Sequence, residues 1–221
     1  MTHSPPCRFV VFDLDGLLID TEPTFEEAAR RLLARRGKEL DMAVMRAMMG
    51  APAREVLPLF AERHQLADAH DVLASEYRDD FFAALGDQPV RLLPGALELL
   101  DLLKQQRVPH GMATSSTLAY VERVLTPHRL LPRFQFVLTA DDVQQGKPHP
   151  EIYEKAAARF GCRPEEMLVL EDSVNGLRSA KAAGARCVVV PHELVDRAAL
   201  TIADAVAPNL MAPGVRSMLG L

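Results

Sequence analysis

Five short apolar runs rich in Val, Leu and Phe punctuate the chain, at Phe9–Phe12 and at residues 108–113, 134–138, 167–170 and 187–190. Their apolar character is continuous rather than alternating, as in strands covered on both faces of a parallel sheet, and helical patterns fall between the last four. This predicts an α/β fold built on a doubly wound, mainly parallel sheet. Helix boundaries are marked too. Pro94 and Gly95 precede a predicted helix over 96–106, Ser173 stands before one over 174–183, and Gly184 follows as a left-handed cap. A short last strand is predicted at 205–207.

From Leu18 onward the pattern changes. Strand-like runs vanish, apolar residues recur at helical spacing, and Gly37, Gly50 with Pro52, and Gly86 divide the stretch into several helices. The reading is an inserted all-helical domain, residues 18–88, interrupting an α/β core of residues 1–17 and 89–221. The crossing segments near 17–21 and 87–92 would form a hinge.

Composition narrows the class. A chain of 221 residues, 48% hydrophobic and 25% charged, is an ordinary globular protein. Its formal charge of -5 lacks the basic surface that nucleic acid requires, so no nucleic-acid partner is expected and any anionic ligand must be held locally. Cys7, Cys162 and Cys187 are far apart and form no C-x-x-C pair, which fits a reducing, cytoplasmic setting without a disulfide framework or zinc site. No export-type apolar run follows the first residues. No segment reaches the about 18 uncharged apolar residues of a membrane span, so neither export nor membrane association is expected.

Candidate chemistry gathers where the predicted strands end, the ligand-binding edge of open α/β sheets. Asp13-Leu14-Asp15-Gly16 follows the first strand: carboxylates two apart on extended chain share a side, and Gly16 permits a sharp turn close to a ligand. After the second strand, Thr114-Ser115-Ser116 offers hydroxyls and helix-start amides to phosphate oxygens. Lys147, in Gly146-Lys147-Pro148, can neutralise developing negative charge. Glu171-Asp172-Ser173 ends a Leu-Val-Leu strand with adjacent acids, hard oxygen ligands suited to Mg²⁺. Singly, such acids often serve only as helix caps or solvated turns.

Together, in this order, the four motifs resemble the haloacid dehalogenase superfamily over nearly the whole chain. The run Phe12-Asp13-Leu14-Asp15-Gly16-Leu17-Leu18-Ile19-Asp20-Thr21-Glu22 resembles its beta-phosphoglucomutase-like branch. So do Gly146-Lys147-Pro148-His149-Pro150-Glu151-Ile152-Tyr153 and Leu170-Glu171-Asp172-Ser173-Val174-Asn175-Gly176. The resemblance implies a Rossmann-like core with a helical cap and a Mg²⁺-dependent phosphatase acting on small phosphorylated metabolites. In it Asp13 is the nucleophile, Asp15 the general acid and base, and Thr114 and Lys147 complete the catalytic set. Asp13, the Asp15 carbonyl and Asp172 hold the metal, with Glu171 bound directly or through water. Charge arithmetic agrees: with Asp13, Glu171 and Asp172 ionised, Asp15 protonated, and Mg²⁺ and Lys147 present, the site is about neutral before phosphate arrives.

Gly16, Ser115 and Ser116 are candidate phosphate contacts, and Glu22, Thr21 and Arg54 are candidates for reading the substrate from the cap. Glu22 could equally favour the dipole of a helix starting near Pro23. Arg30, Arg31, Arg35, Arg36 and Lys38 read as a solvated face, since Glu26 and Glu27 lie four residues before Arg30 and Arg31. Met42, Met45, Met48 and Met49 read as packing, and His149 as structural. A phosphomutase is the alternative activity. It would need a cap histidine where this chain has Phe25 and a lysine around Tyr77 to Asp80, for which Arg78 is a partial substitute. A dehalogenase would not need Asp15 and the metal acids, and a signalling receiver would lack the insertion. A monomer is expected.

Overall fold

The structure, a computed structural model, describes residues 5–48, 53–86, 89–192 and 195–221, leaving aside the side chains of 46–48 and 53–55. In chain order it comprises β1 (Phe9–Phe12), four helices α1 (Glu22–Ala34), α2 (Met42–Met48), α3 (Ala53–Arg63) and α4 (His70–Leu85), then α5 (Ala96–Gln105), β2 (His110–Ala113) and α6 (Leu118–Leu125). There follow β3 (Val137–Leu138), α7 (Glu151–Phe160), β4 (Met167–Glu171), α8 (Val174–Ala182), β5 (Arg186–Val189), β6 (Ala205–Val206) and α9 (Pro213–Met218). The chain divides into two compact units, Met1–Ile19 with Arg91–Leu221, and Asp20–Val90.

The first unit is a parallel six-stranded sheet of order β3-β2-β1-β4-β5-β6, with helices on both sides. The alternation of a two-sided strand is visible in its burial. Val11, Val169, Cys187 and Val189 pack with Ile152, Tyr153 and Ala156 of α7 and Leu177 and Ala180 of α8, while Val10, Phe12, Leu168, Leu170 and Val188 are equally buried on the opposite face. All six predicted strands form, with shorter second and third members. Pro109 cannot donate to the ladder ahead of β2, and only Val137 and Leu138 of the run 134–138 join it.

Leu18 and Ile19 belong to this unit rather than to the insertion. The Leu93 amide donates to the Leu18 carbonyl at 2.9 Å, and Ile19 forms an antiparallel bridge with Leu92. These bonds tie Leu18 and Ile19 to the core, so the first boundary falls at 19/20 rather than 17/18, while the second falls at 90/91 rather than 88/89 and leaves residues 89 and 90 with the helical unit.

The second unit is all-helical. Its core joins Ala29, Leu32 and Leu33 of α1 with Phe60, Ala61 and Leu73, and Met45, Leu57 and Tyr77 pack against them. Gly37 and Gly86 follow α1 and α4 with positive φ, while Gly50 and Pro52 lie outside the described residues. Arg30 and Arg31 pair with Glu26 and Glu27 as the spacing predicts. Arg35 and Arg36 do not stay on that face. Arg35 grips both oxygens of Asp80 on α4 at 2.8 and 2.6 Å, and Arg36 reaches Glu76 and Asp68, so this part of the basic cluster fastens α1 to its neighbours. Among the described residues no helix is long and apolar enough to cross a membrane.

Candidate active site

The site grows from the C-terminal edge of β1, β2 and β4. Asp13 follows β1 directly, and its amide still donates to the Leu170 carbonyl at 3.0 Å, so the sheet fixes its place. Beyond it the strand geometry ends: the Leu14 carbonyl accepts from Leu18 and Ile19 in a tight turn through Gly16, whose φ of 74° favours glycine. Asp15 therefore stands in a turn rather than on extended chain, yet its carboxylate is still close enough for its charge to raise the Asp13 carboxyl. The Asp13 carboxylate turns to Lys147, and Asp15 turns to Ser116 and Tyr120.

Lys147 is the central cation. Its ammonium lies 2.6 Å from Asp13 Oδ1 and 2.6 Å from Glu171 Oε1, and donates to the Ala113 carbonyl at 3.0 Å. Burial pulls this lysine down, but the two carboxylates outweigh it and hold it above its ordinary value. Burial pushes the Asp13 carboxyl up to about 7, with Lys147 opposing and Glu171 adding to the rise. Asp172 is pushed well above the usual carboxylate range by burial and by the charges of Asp13 and Glu171.

Glu171, fully buried at the end of β4, is saturated with donors. Oε1 accepts from Lys147 and, at 2.5 Å, from the Tyr153 phenol, while Oε2 accepts from the Asp172 amide and the Ser173 hydroxyl, both at 3.2 Å. Asp13, Glu171 and Asp172 each present an oxygen within 4.8 Å of the others'. Three acids around one lysine form a hard, electron-rich donor set that fits a divalent cation such as Mg²⁺. Gly16 preserves the space: a Cβ there would lie 2.3 Å from Asp172 Oδ2.

Thr114 is buried at the end of β2, its Oγ1 accepting the Ser116 amide at 3.1 Å. The Ser116 hydroxyl points to Asp15 Oδ2 at 2.8 Å, and Ser115 is exposed. The first unit thus brings together Asp13, Lys147, Glu171 and Asp172, and holds Asp15 with Ser116. Glu22 lies in the first turn of α1 in the second unit, and the Arg54 side chain lies outside the described ones.

A family model for the haloacid dehalogenase-like hydrolases matches residues 10–190. The chain belongs to that family. Among its haloacid dehalogenase-like relatives is the validoxylamine A 7'-phosphate phosphatase of Streptomyces hygroscopicus subsp. limoneus, 38% identical over 92% of this chain and 94% of the relative. The phosphorylated carbohydrates phosphatase of Thermotoga maritima is 35% identical over 90% of this chain and 92% of its own. The crystal structure of beta-phosphoglucomutase from Clostridium difficile shares the fold, with a TM-score of 0.77 over 97% of each chain at 22% identity.

Within this haloacid dehalogenase-like site, three residues carry contacts that motif reading passed over. Tyr120 reaches Asp15, Tyr153 reaches Glu171, and Glu151 accepts the Gln144 and Gln145 amides just ahead of the lysine loop. The tyrosines lie on the apolar faces of α6 and α7, where a buried phenol demands a partner. That demand was the available signal.

Proposed function

We propose that this enzyme, a phosphoric monoester hydrolase, cleaves small phosphorylated metabolites resembling sugar phosphates through a phosphoryl group carried transiently on Asp13. The observation that carries the reading is the placement of the Lys147 ammonium 2.6 Å from both Asp13 and Glu171 at the sheet's ligand-binding edge. The substrate class follows its relatives, among them the phosphorylated carbohydrates phosphatase of Thermotoga maritima.

In the proposed sequence an Asp13 oxygen attacks phosphorus in line with the departing alcohol. The bond from phosphorus to the alcohol oxygen breaks as the Asp13 bond forms, and protonated Asp15 gives its proton to the leaving oxygen. Water then attacks the aspartyl phosphate, its proton passing to Asp15, and Asp13 is freed with inorganic phosphate. Lys147 and the Thr114 hydroxyl face the negative charge of the phosphoryl oxygens. Asp13, Asp172 and the Asp15 carbonyl would hold Mg²⁺, with Glu171 behind them through water because both its oxygens already accept hydrogen bonds. When bound, the ion supplies positive charge against the phosphoryl group.

Phe25 favours hydrolysis over phosphomutase chemistry. Its ring stacks on Phe81 with centroids 4.7 Å apart, an apolar residue where a mutase needs a proton-handling one. The deciding assay measures phosphate released from sugar phosphates and nucleoside monophosphates, with Mg²⁺ and with EDTA, and follows conversion of beta-glucose 1-phosphate to the 6-phosphate. Metal-dependent release supports the reading. Isomerisation with little free phosphate would replace it with the mutase, and retained turnover in Asp13→Asn would refute the Asp13 mechanism.

A further inference from the structure

Asp15 meets two hydroxyls on two different oxygens. Oδ2 accepts from Ser116 at 2.8 Å, and Oδ1 accepts from the Tyr120 phenol at 2.5 Å. One donor would leave the carboxylate able to rotate about its last bond, whereas donors on both oxygens fix its plane. Tyr120 is the rigid partner. It is 5% exposed, and its α6 neighbours Val121, Val124 and Leu125 are buried. The Leu118 amide that opens α6 is held by Asp141 Oδ2 at 2.9 Å. Asp15, by contrast, sits in the turn that begins at Leu14, beyond the last ladder pair of β1 at Phe12.

We propose that Tyr120 is a positioning residue for the reaction, setting the plane of the Asp15 carboxyl so that its proton is aimed at the leaving alcohol. The proposal rests on the reading of Asp15 as the general acid. Ser116, with its hydroxyl on the other oxygen, is the lesser partner, because it follows the loop after β2 rather than a packed helix face.

The test uses the dependence on leaving group. An alkyl phosphate such as a sugar phosphate needs its departing oxygen protonated, whereas p-nitrophenyl phosphate expels a stable anion without help. The ratio kcat/KM covers only the steps through alcohol release, so Asp15's later work on water does not enter it. For Tyr120→Phe, which keeps the ring, kcat/KM should fall roughly tenfold on the sugar phosphate, a fraction of the roughly 10²–10⁴ that general acid catalysis supplies, and less than about twofold on p-nitrophenyl phosphate. Asp15→Asn sets the scale with a larger loss of the same selectivity. Adding Tyr120→Phe to Asp15→Asn should change the selectivity no further, since the phenol acts through the carboxyl.

An equal loss on both substrates, or no loss on either, would overturn the role of Tyr120 and reduce it to packing. So would additive effects in the double variant. If Asp15→Asn itself shows no leaving-group selectivity, the reading of Asp15 as acid falls first, and the two failures are told apart. Should Tyr120→Phe lose the fold, Tyr120→Met provides the same comparison without the phenol, with a selective loss expected and an unselective one refuting the arrangement.

Discussion

Gly176 lies directly against the Glu171 carboxylate: a Cβ at position 176 would stand 1.9 Å from Oε1. The first turn of α8 and the end of β4 are therefore matched so closely that the acid fits only because this residue has no side chain. Gly176→Ala must displace Glu171 and with it the donors from Lys147, Tyr153 and Ser173. It should lower stability by about 1–3 kcal/mol, as overpacking does, and cut turnover at least tenfold. Gly214→Ala, at an exposed position of α9 with nothing among the described residues within 4 Å of the added carbon, should instead be neutral or stabilising by up to about 1 kcal/mol. Urea unfolding of the two variants checks both signs.

Metal binding should be visible without turnover. A ligand that binds only the folded state at 100 times its dissociation constant adds about 2.7 kcal/mol, so saturating Mg²⁺ should raise the melting temperature of the unmodified chain. Asp172→Asn should lose most of that rise, and calorimetric titration should show weakened binding. An equal rise in both proteins would remove Asp172 from the metal set.

Asp80 should anchor the helical unit far more than the surface pairs do. Its carboxylate is nearly buried and accepts two bonds from Arg35, so Asp80→Ala should destabilise by about 1–2 kcal/mol. Glu26→Ala, which breaks only the exposed pair to Arg30, should change stability by less than about 0.5 kcal/mol. Thermal unfolding of each variant separates them.

His110 makes stability fall toward acid pH. It is buried between Phe12 and Phe134, with Nδ1 2.9 Å from the Val108 carbonyl and a buried Nε2 that meets no hydrogen-bond partner among the described residues. Burial holds its pKa below the usual 6.5, so the unfolded chain binds the proton first. Its contribution is fully present above that value and declines as pH falls below it toward the lower folded pKa. His110→Phe should flatten that part of a curve of unfolding free energy against pH, measured in urea from pH 8 to 5, and an unchanged slope would refute the assignment.

What the sequence made legible follows from how each feature is encoded. The β1 and β4 strands and the acids at their ends were readable because buried parallel strands are written as continuous apolar runs, against which adjacent carboxylates stand out. Lys147 was readable from its loop, but its position between Asp13 and Glu171 was not, since that distance spans residues far apart in the chain. Tyr120 and Tyr153 were hidden for the opposite reason: each occupies a core position, and its apolar ring masks the hydroxyl beyond it. The destination of Arg35 was equally hidden, because a residue on α4 wins it from its own helix face. The partners of Asp15 were not legible, because strand periodicity ends at Phe12 and the turn that carries Asp15 is set by backbone bonds the sequence pattern does not write.

The bridge between Ile19 and Leu92 closes the α/β unit on itself at the point where the chain departs and returns. Everything between these two residues is, in effect, an appendage sewn onto a finished seam. The backbone path that carries Asp13 is thus closed by this bridge before the helical unit begins. Under the proposed reaction, a change confined to the helical unit would alter which alcohol is accepted without rerouting the strand that ends at Asp13.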